Sequence, residues 1–131
     1  MKKYKLEVNE EQLPIIADAL EVYSRLKCGQ LKSLRDIFWL KEFDRESLDY
    51  CMNQAKIILF PELSNGEYYG IYGDKTPFDS KLAYDVYKKI RNIQNKDSSI
   101  WNVHKEPHIH LASGIDCMVE AWPLACIFIF F

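Results

Sequence analysis

The chain has 131 residues, 48% hydrophobic and 27% charged, with 17 basic against 19 acidic side chains and a formal net charge of -2. That length holds one domain with a real core but not two, and the hydrophobic content excludes a disordered chain. The slightly acidic balance excludes a dedicated binder of duplex nucleic acid, which needs a basic excess, but not a small anion held by a local cluster of cations.

Tyr4, Leu6 and Val8 alternate with charged residues, the period of a half-buried strand over residues 1–8. Asn9 stands where an N-cap belongs, with Gln12 as its capping-box partner and Pro14 still in the first turn. A helix is predicted from about Glu10 to Lys27. Its apolar residues form two stripes, Leu13, Ile16, Leu20 and Tyr23 on one and Ile15, Ala19, Val22 and Leu26 on the other, so cover on more than one side is expected. Gly29 ends that helix, where a left-handed residue costs least without a Cβ.

A second helical segment follows in "LKSLRDIFWL". Asp44 is the predicted N-cap of a third helix, with Phe43 and Leu48 at staple spacing. Leu48, Cys51, Met52, Ala55 and Leu59 make its expected core face, and Pro61 stops it. The turn-rich stretch "ELSNGEYYGIYGDKTP" is the longest irregular segment and brings its tyrosines, Tyr69 among them, into view as functional candidates. Thr76, Pro77 and Asp79 then give an N-cap, a proline at the first helical position and an acid at the third. The helix they open, to about Gln94, buries Leu82, Ala83, Val86, Ile90 and Ile93 and carries Lys81, Tyr84, Lys88 and Arg91 along its other face.

Beyond a polar break the composition turns β-like, through Ile109, Leu111 and residues 117–122, and ends on "LACIFIFF", too short to span a bilayer and expected to be buried in the sheet or between subunits. The resulting expectation is one α+β domain over 1–131. Residues 1–8 form a strand, 10–94 are mainly helical, and 107–131 are β-rich and return to a small, mainly antiparallel sheet with the N-terminal strand. A homo-oligomer is expected.

The start "MKKYKLEVNEEQ" has no apolar stretch behind its lysines, so no signal peptide is expected. Cys28, Cys51, Cys117 and Cys126 are scattered, the pattern of reduced thiols in a cytoplasm rather than a zinc site or disulfide framework. His104, His108 and His110, with Glu106 between, could hold a metal, since alternate residues of a strand share a face. The histidine-triad nucleotide hydrolases require a further histidine where this chain has Ala112, so the cluster is kept only as an alternative, a metal-dependent hydrolase, against ordinary surface histidines. No nucleophile elbow, phosphate-binding loop or dinucleotide fingerprint is present, and no catalytic residue and no cofactor is assigned.

The stripe Lys81, Tyr84, Lys88 and Arg91 is chemically more coherent: cations for phosphate and a ring on which a base can stack. The plain alternative is a solvated helix face on which Asp85 pairs with Lys89 and Lys81, as Glu21 would pair with Arg25.

The stretches "ALEVYSRLKCGQLKSL" and "YYGIYGDKTPFDSKLAYDVYKKIR", followed by "SGIDCMVE", together resemble a family of small proteins encoded by bacteriophages and prophages. The likeness runs to about Glu120 and includes neither the histidines nor the apolar tail. It implies a non-enzymatic binding protein in the host cytoplasm, an anti-defence protein that sequesters a small nucleotide-derived signal or binds a host defence protein directly. The ligand-binding candidates are Tyr23, Arg25, Gln30, Tyr69, Tyr84, Lys88 and Arg91, and neither duplex nucleic acid nor a membrane is an expected partner.

Overall fold

The computed structural model describes residues 2, 4–38 and 41–94, together with the backbone of two strands at 117–120 and 126–129. In chain order the elements are β1 (Leu6–Glu7), α1 (Gln12–Lys27), a 3-10 turn (Leu31–Ser33), α2 (Leu34–Ile37), α3 (Arg45–Leu59), α4 (Phe78–Gln94), β2 (Cys117–Glu120) and β3 (Cys126–Ile129). The chain divides into two compact units, Met1–Glu21 with Leu82–Phe131, and Val22–Lys81.

In the first unit the helix start is dictated locally. Asn9 Oδ1 accepts from the N–H groups of Glu11 and Gln12 at 3.1 and 2.8 Å, and the Asn9 N–H donates back to Gln12 Oε1 at 3.0 Å. This reciprocal cap satisfies donors that a helix terminus leaves orphaned. Leu13 and Ala17 on α1 and Val86, Tyr87 and Ile90 on α4 then fall at helical spacing and meet Val8 in a buried cluster, with Ile16, Leu20, Leu82 and Tyr84 packed against it. Burial pushes the Tyr87 phenol up to about 12, helped by the charge of Glu21. The second apolar stripe expected on α1 is not covered at its start, since Ile15 is 69% exposed and Ala19 is exposed as well.

The α+β class expected from the sequence is corrected here. Among the residues whose side chains are described, 61% are helical and 2% are strand, the single strand β1. Leu6 and Glu7 are themselves exposed, so the described core is helix on helix, supplied by α1, α4 and Val8. The β-structure is small: β1 pairs antiparallel with β3 through Leu6↔Ile127 and Glu7↔Cys126, and β3 pairs antiparallel with β2. The 3.6-residue periodicity of α1 and α4 supplies most of that core, and the short alternating stretch at the N-terminus adds Val8 alone. The side chains of the apolar tail, and the whole of His104, His108 and His110, lie outside the described residues.

The second unit holds the Gly29 turn, α2, α3 and the loop to α4. Gly29 has φ +88°, and the N–H groups of Gly29 and Gln30 bond to Leu26 O and Arg25 O at 3.0 Å each. This is the Schellman termination, which needs a residue that tolerates the left-handed region. Asp44 caps α3, taking the N–H groups of Glu46 and Ser47 and the Ser47 hydroxyl, and these bonds hold its carboxyl below the usual aspartate range. The buried residues of α3 are Met52 and Lys56, whereas Cys51 and Leu59, expected in the core, are exposed.

Thr76 does not cap α4 with its side chain. Its hydroxyl donates to Gly70 O at 2.7 Å, and the Ser80 hydroxyl donates to Ser24 O at 2.9 Å. With both hydroxyl protons committed, the buried Cys28 thiol, 3.8 and 3.6 Å from those oxygens, is left as the donor, and its single proton can serve one of them at a time. Cys28 O in turn accepts from the Tyr69 N–H at 2.9 Å, which ties the Tyr69 loop to the end of α1.

Candidate functional site

The Schellman turn brings the third-last residue of α1 beside the second residue after its C-cap, Arg25 beside Gln30, where a hydrophobic contact commonly sits. Here the contact is polar: Arg25 Nη1 donates to Gln30 Oε1 at 3.0 Å. Gln30 is thereby held at the edge of a cavity of about 310 Å³. The turn and α2 contribute Gln30, Lys32, Arg35 and Asp36 to its lining, while α3 contributes Met52, Asn53 and Lys56. Asn65, Gly66 and Tyr68 of the following loop close it. Gly29 packs under that loop, where an added Cβ would come 3.0 Å from Leu63 Cδ1.

The charged groups differ in how they are held. Lys32 and Arg35 are part-exposed and share Asp49: Arg35 Nη1 donates to Asp49 Oδ2 at 3.2 Å, and Lys32 Nζ lies 3.9 Å from the same oxygen. Asp49 Oδ1 is buried and within 3.1 Å of Arg35 Nη1, but it is not aligned to accept a hydrogen bond. Lys56 is only 6% exposed. Its ammonium donates to the backbone oxygens of Asn65, at 3.2 Å, and Glu67. Glu67 itself accepts from the Ser64 N–H at 3.0 Å, and that bond, with a smaller contribution from the Lys56 charge, holds its carboxyl low.

Of the seven candidates read from the sequence, Gln30 lines this cavity and Arg25 stands behind it. Tyr23, in the same unit, donates from its hydroxyl to Asp79 Oδ2 at 2.5 Å, with Lys27 Nζ 3.0 Å from that oxygen. The bond to Tyr23 and then that to Lys27 hold Asp79 low, and Asp79 raises both partners. Tyr69 donates to the Glu62 carboxylate and stands edge-on to Phe60, whereas its neighbour Tyr68 lines the cavity. In the other unit Tyr84 packs against the core with its ring 5.3 Å from that of Tyr87. Arg91 bonds to Asp18 and Gln94 and lies over the Tyr87 ring, and Lys88 is half-buried. Asp85 is fully buried, which removes it from the solvated face on which it was expected to pair with lysines.

Sequence reasoning missed Lys32, Arg35, Asn53, Lys56, Asn65 and Tyr68. One signal was available for Lys56: it follows Met52 at i+4, so it shares that residue's face. Among the described residues, no three His, Cys, Asp or Glu side chains are grouped as a metal would need, and no helix is long and apolar enough to cross a membrane. Comparison with family models, curated proteins and solved structures finds no match to this chain.

Proposed function

We propose that this protein is a phage-encoded, non-enzymatic binding protein that sequesters a small anionic, nucleotide-derived immune signal. The observation that carries the proposal is the donor-rich cavity beside the Gly29–Gln30 turn, where Lys32, Arg35 and Lys56 stand with Gln30, Asn53 and Asn65 around one concave surface. Cations recognise phosphate through charge-assisted hydrogen bonds, and amides can read a base edge. The turn belongs to one of the two stretches that carry the resemblance to phage proteins, which supplies the biological context. Binding shifts the folding equilibrium, so a thermal-shift screen against mononucleotides, cyclic dinucleotides and ADP-ribose derivatives tests the proposal. A rise of several degrees with one class is the expected result, and no rise with any of them overturns it.

A second proposal, direct binding of a host defence protein, draws on α3, where Tyr50, Ile57, Ile58 and Leu59 are 65, 60, 79 and 64% exposed. It predicts that the double substitution Ile57→Asp, Ile58→Asp abolishes protection of a phage from host defence while leaving the fold intact. Full protection by that variant excludes it.

A further inference from the structure

Lys56 presents an electrostatic problem. A buried ammonium needs an opposite charge or a full set of acceptors, because removing it from water is costly. Among the described residues no carboxylate lies in ion-pair contact with it, and two backbone oxygens are its hydrogen-bond acceptors. An ammonium has three N–H donors, so one remains for the cavity that Lys56 lines. The nearby Glu67 carboxylate is turned to the Ser64 N–H instead.

We propose that this cavity is a phosphomonoester site of mononucleotide size, with the Lys56 ammonium as the buried anchor for the phosphate and the Tyr68 ring as the stacking surface for the base. The inference rests on the sequestration proposal and narrows its ligand class. At about 310 Å³ the cavity is at the lower end of the range of roughly 300–1,000 Å³ for small-molecule sites, which suits a ligand of mononucleotide size. A phosphomonoester offers three oxygens and up to two charges, enough to meet Lys56 together with Lys32 and Arg35. Arg35 donates from Nε to Lys32 O and from Nη1 to Asp49 Oδ2, which leaves further guanidinium N–H groups for a phosphate. Tyr68 is 58% exposed, so its ring is accessible to a base.

A second cleft, of about 370 Å³, shares Asn53, Lys56 and Asn65 but is otherwise lined by Tyr50, Gln54, Ile57, Leu63 and Ser64. It lacks the further cations, which is why the phosphate is assigned to the Gln30 side.

The test is titration calorimetry of the full chain with the four ribonucleoside 5′-monophosphates, the matching nucleosides and two cyclic dinucleotides. At least one monophosphate should bind, and its nucleoside should not. Lys56→Gln removes the charge and retains an amide N–H₂ donor on a side chain one bond shorter, and should weaken binding by about 30-fold or more. Tyr68→Ala should weaken it by about tenfold. Should Lys56→Gln fail to fold, Lys32→Glu and Tyr68→Ala decide in its place. Binding of cyclic dinucleotides but no monophosphate overturns this inference and leaves sequestration standing, whereas binding of none overturns both. Unchanged monophosphate affinity in Lys56→Gln, or in both rim variants, overturns the assignment to this cavity.

Discussion

Gly29 shows how far one residue can be argued from its backbone. At φ +88° any side chain with a Cβ meets the steric cost of the left-handed region, about 1–2 kcal/mol, and here the new methyl would also press on Leu63 Cδ1. Gly29→Ala is therefore expected to lower unfolding free energy by about 1–2 kcal/mol in urea titration, and an unchanged midpoint would contradict the left-handed turn. The Tyr23, Asp79 and Lys27 cluster makes a different prediction, in pH. Asp79 is held below its ordinary value, so its contribution is present above the unfolded aspartate range and is lost as pH falls through the folded value. Tyr23 and Lys27 are raised, so theirs is present below their ordinary values and is lost as pH rises through the folded ones. Wild-type stability relative to Asp79→Asn should thus be greatest between about pH 5 and 9 and should converge at both extremes. A difference independent of pH from 2 to 11 would show that the cluster contributes nothing.

At the scale of elements, legibility tracks the range of the interaction. The Asn9 cap, the Gly29 stop and the Asp44 cap depend on bonds between residues at most five apart, and each is visible in the sequence as it stands in the structure. What was missed depends on distant partners. The Thr76 hydroxyl had a capping residue's chemistry but found Gly70 O, and α3 turned Lys56 inward where its sequence offered Leu59 and Cys51. A lysine is read as polar and therefore outward; only the carbonyls of residues 65 and 67 make its burial tolerable. The cavity escaped for the same reason, since its lining comes from residues 29 to 68 on four separate segments. The local caps are also where a single change is most interpretable. Asn9→Ala removes the acceptor for two N–H groups and should cost about 1 kcal/mol, with amide exchange accelerating first at Glu11 and Gln12. Exchange unchanged there would mean that the cap is not populated.

At the scale of the molecule, both units draw on the same two helices: residues 12–21 and 82–94 serve one, and residues 22–27 and 78–81 serve the other. Helix formation is cooperative along the chain, because each added residue extends an existing ladder rather than paying for a new nucleus. Loss of packing at one end of α4 should therefore be felt along its length. Ile90 is fully buried in the core cluster of the first unit, and Ile90→Ala should destabilise by about 2–5 kcal/mol through lost apolar burial and the cavity left behind. If the shared helices transmit that loss, hydrogen exchange in Ile90→Ala will accelerate by a similar factor at Val86 and at Ala83, and equally at Ser24 and Cys28 in the second unit. The Asp44-capped helix α3, which lies wholly in the second unit, reports whether the coupling extends beyond α1 and α4. Acceleration confined to residues 82–94 and 12–21 would show instead that the two units open independently, each helix fraying at the boundary between them.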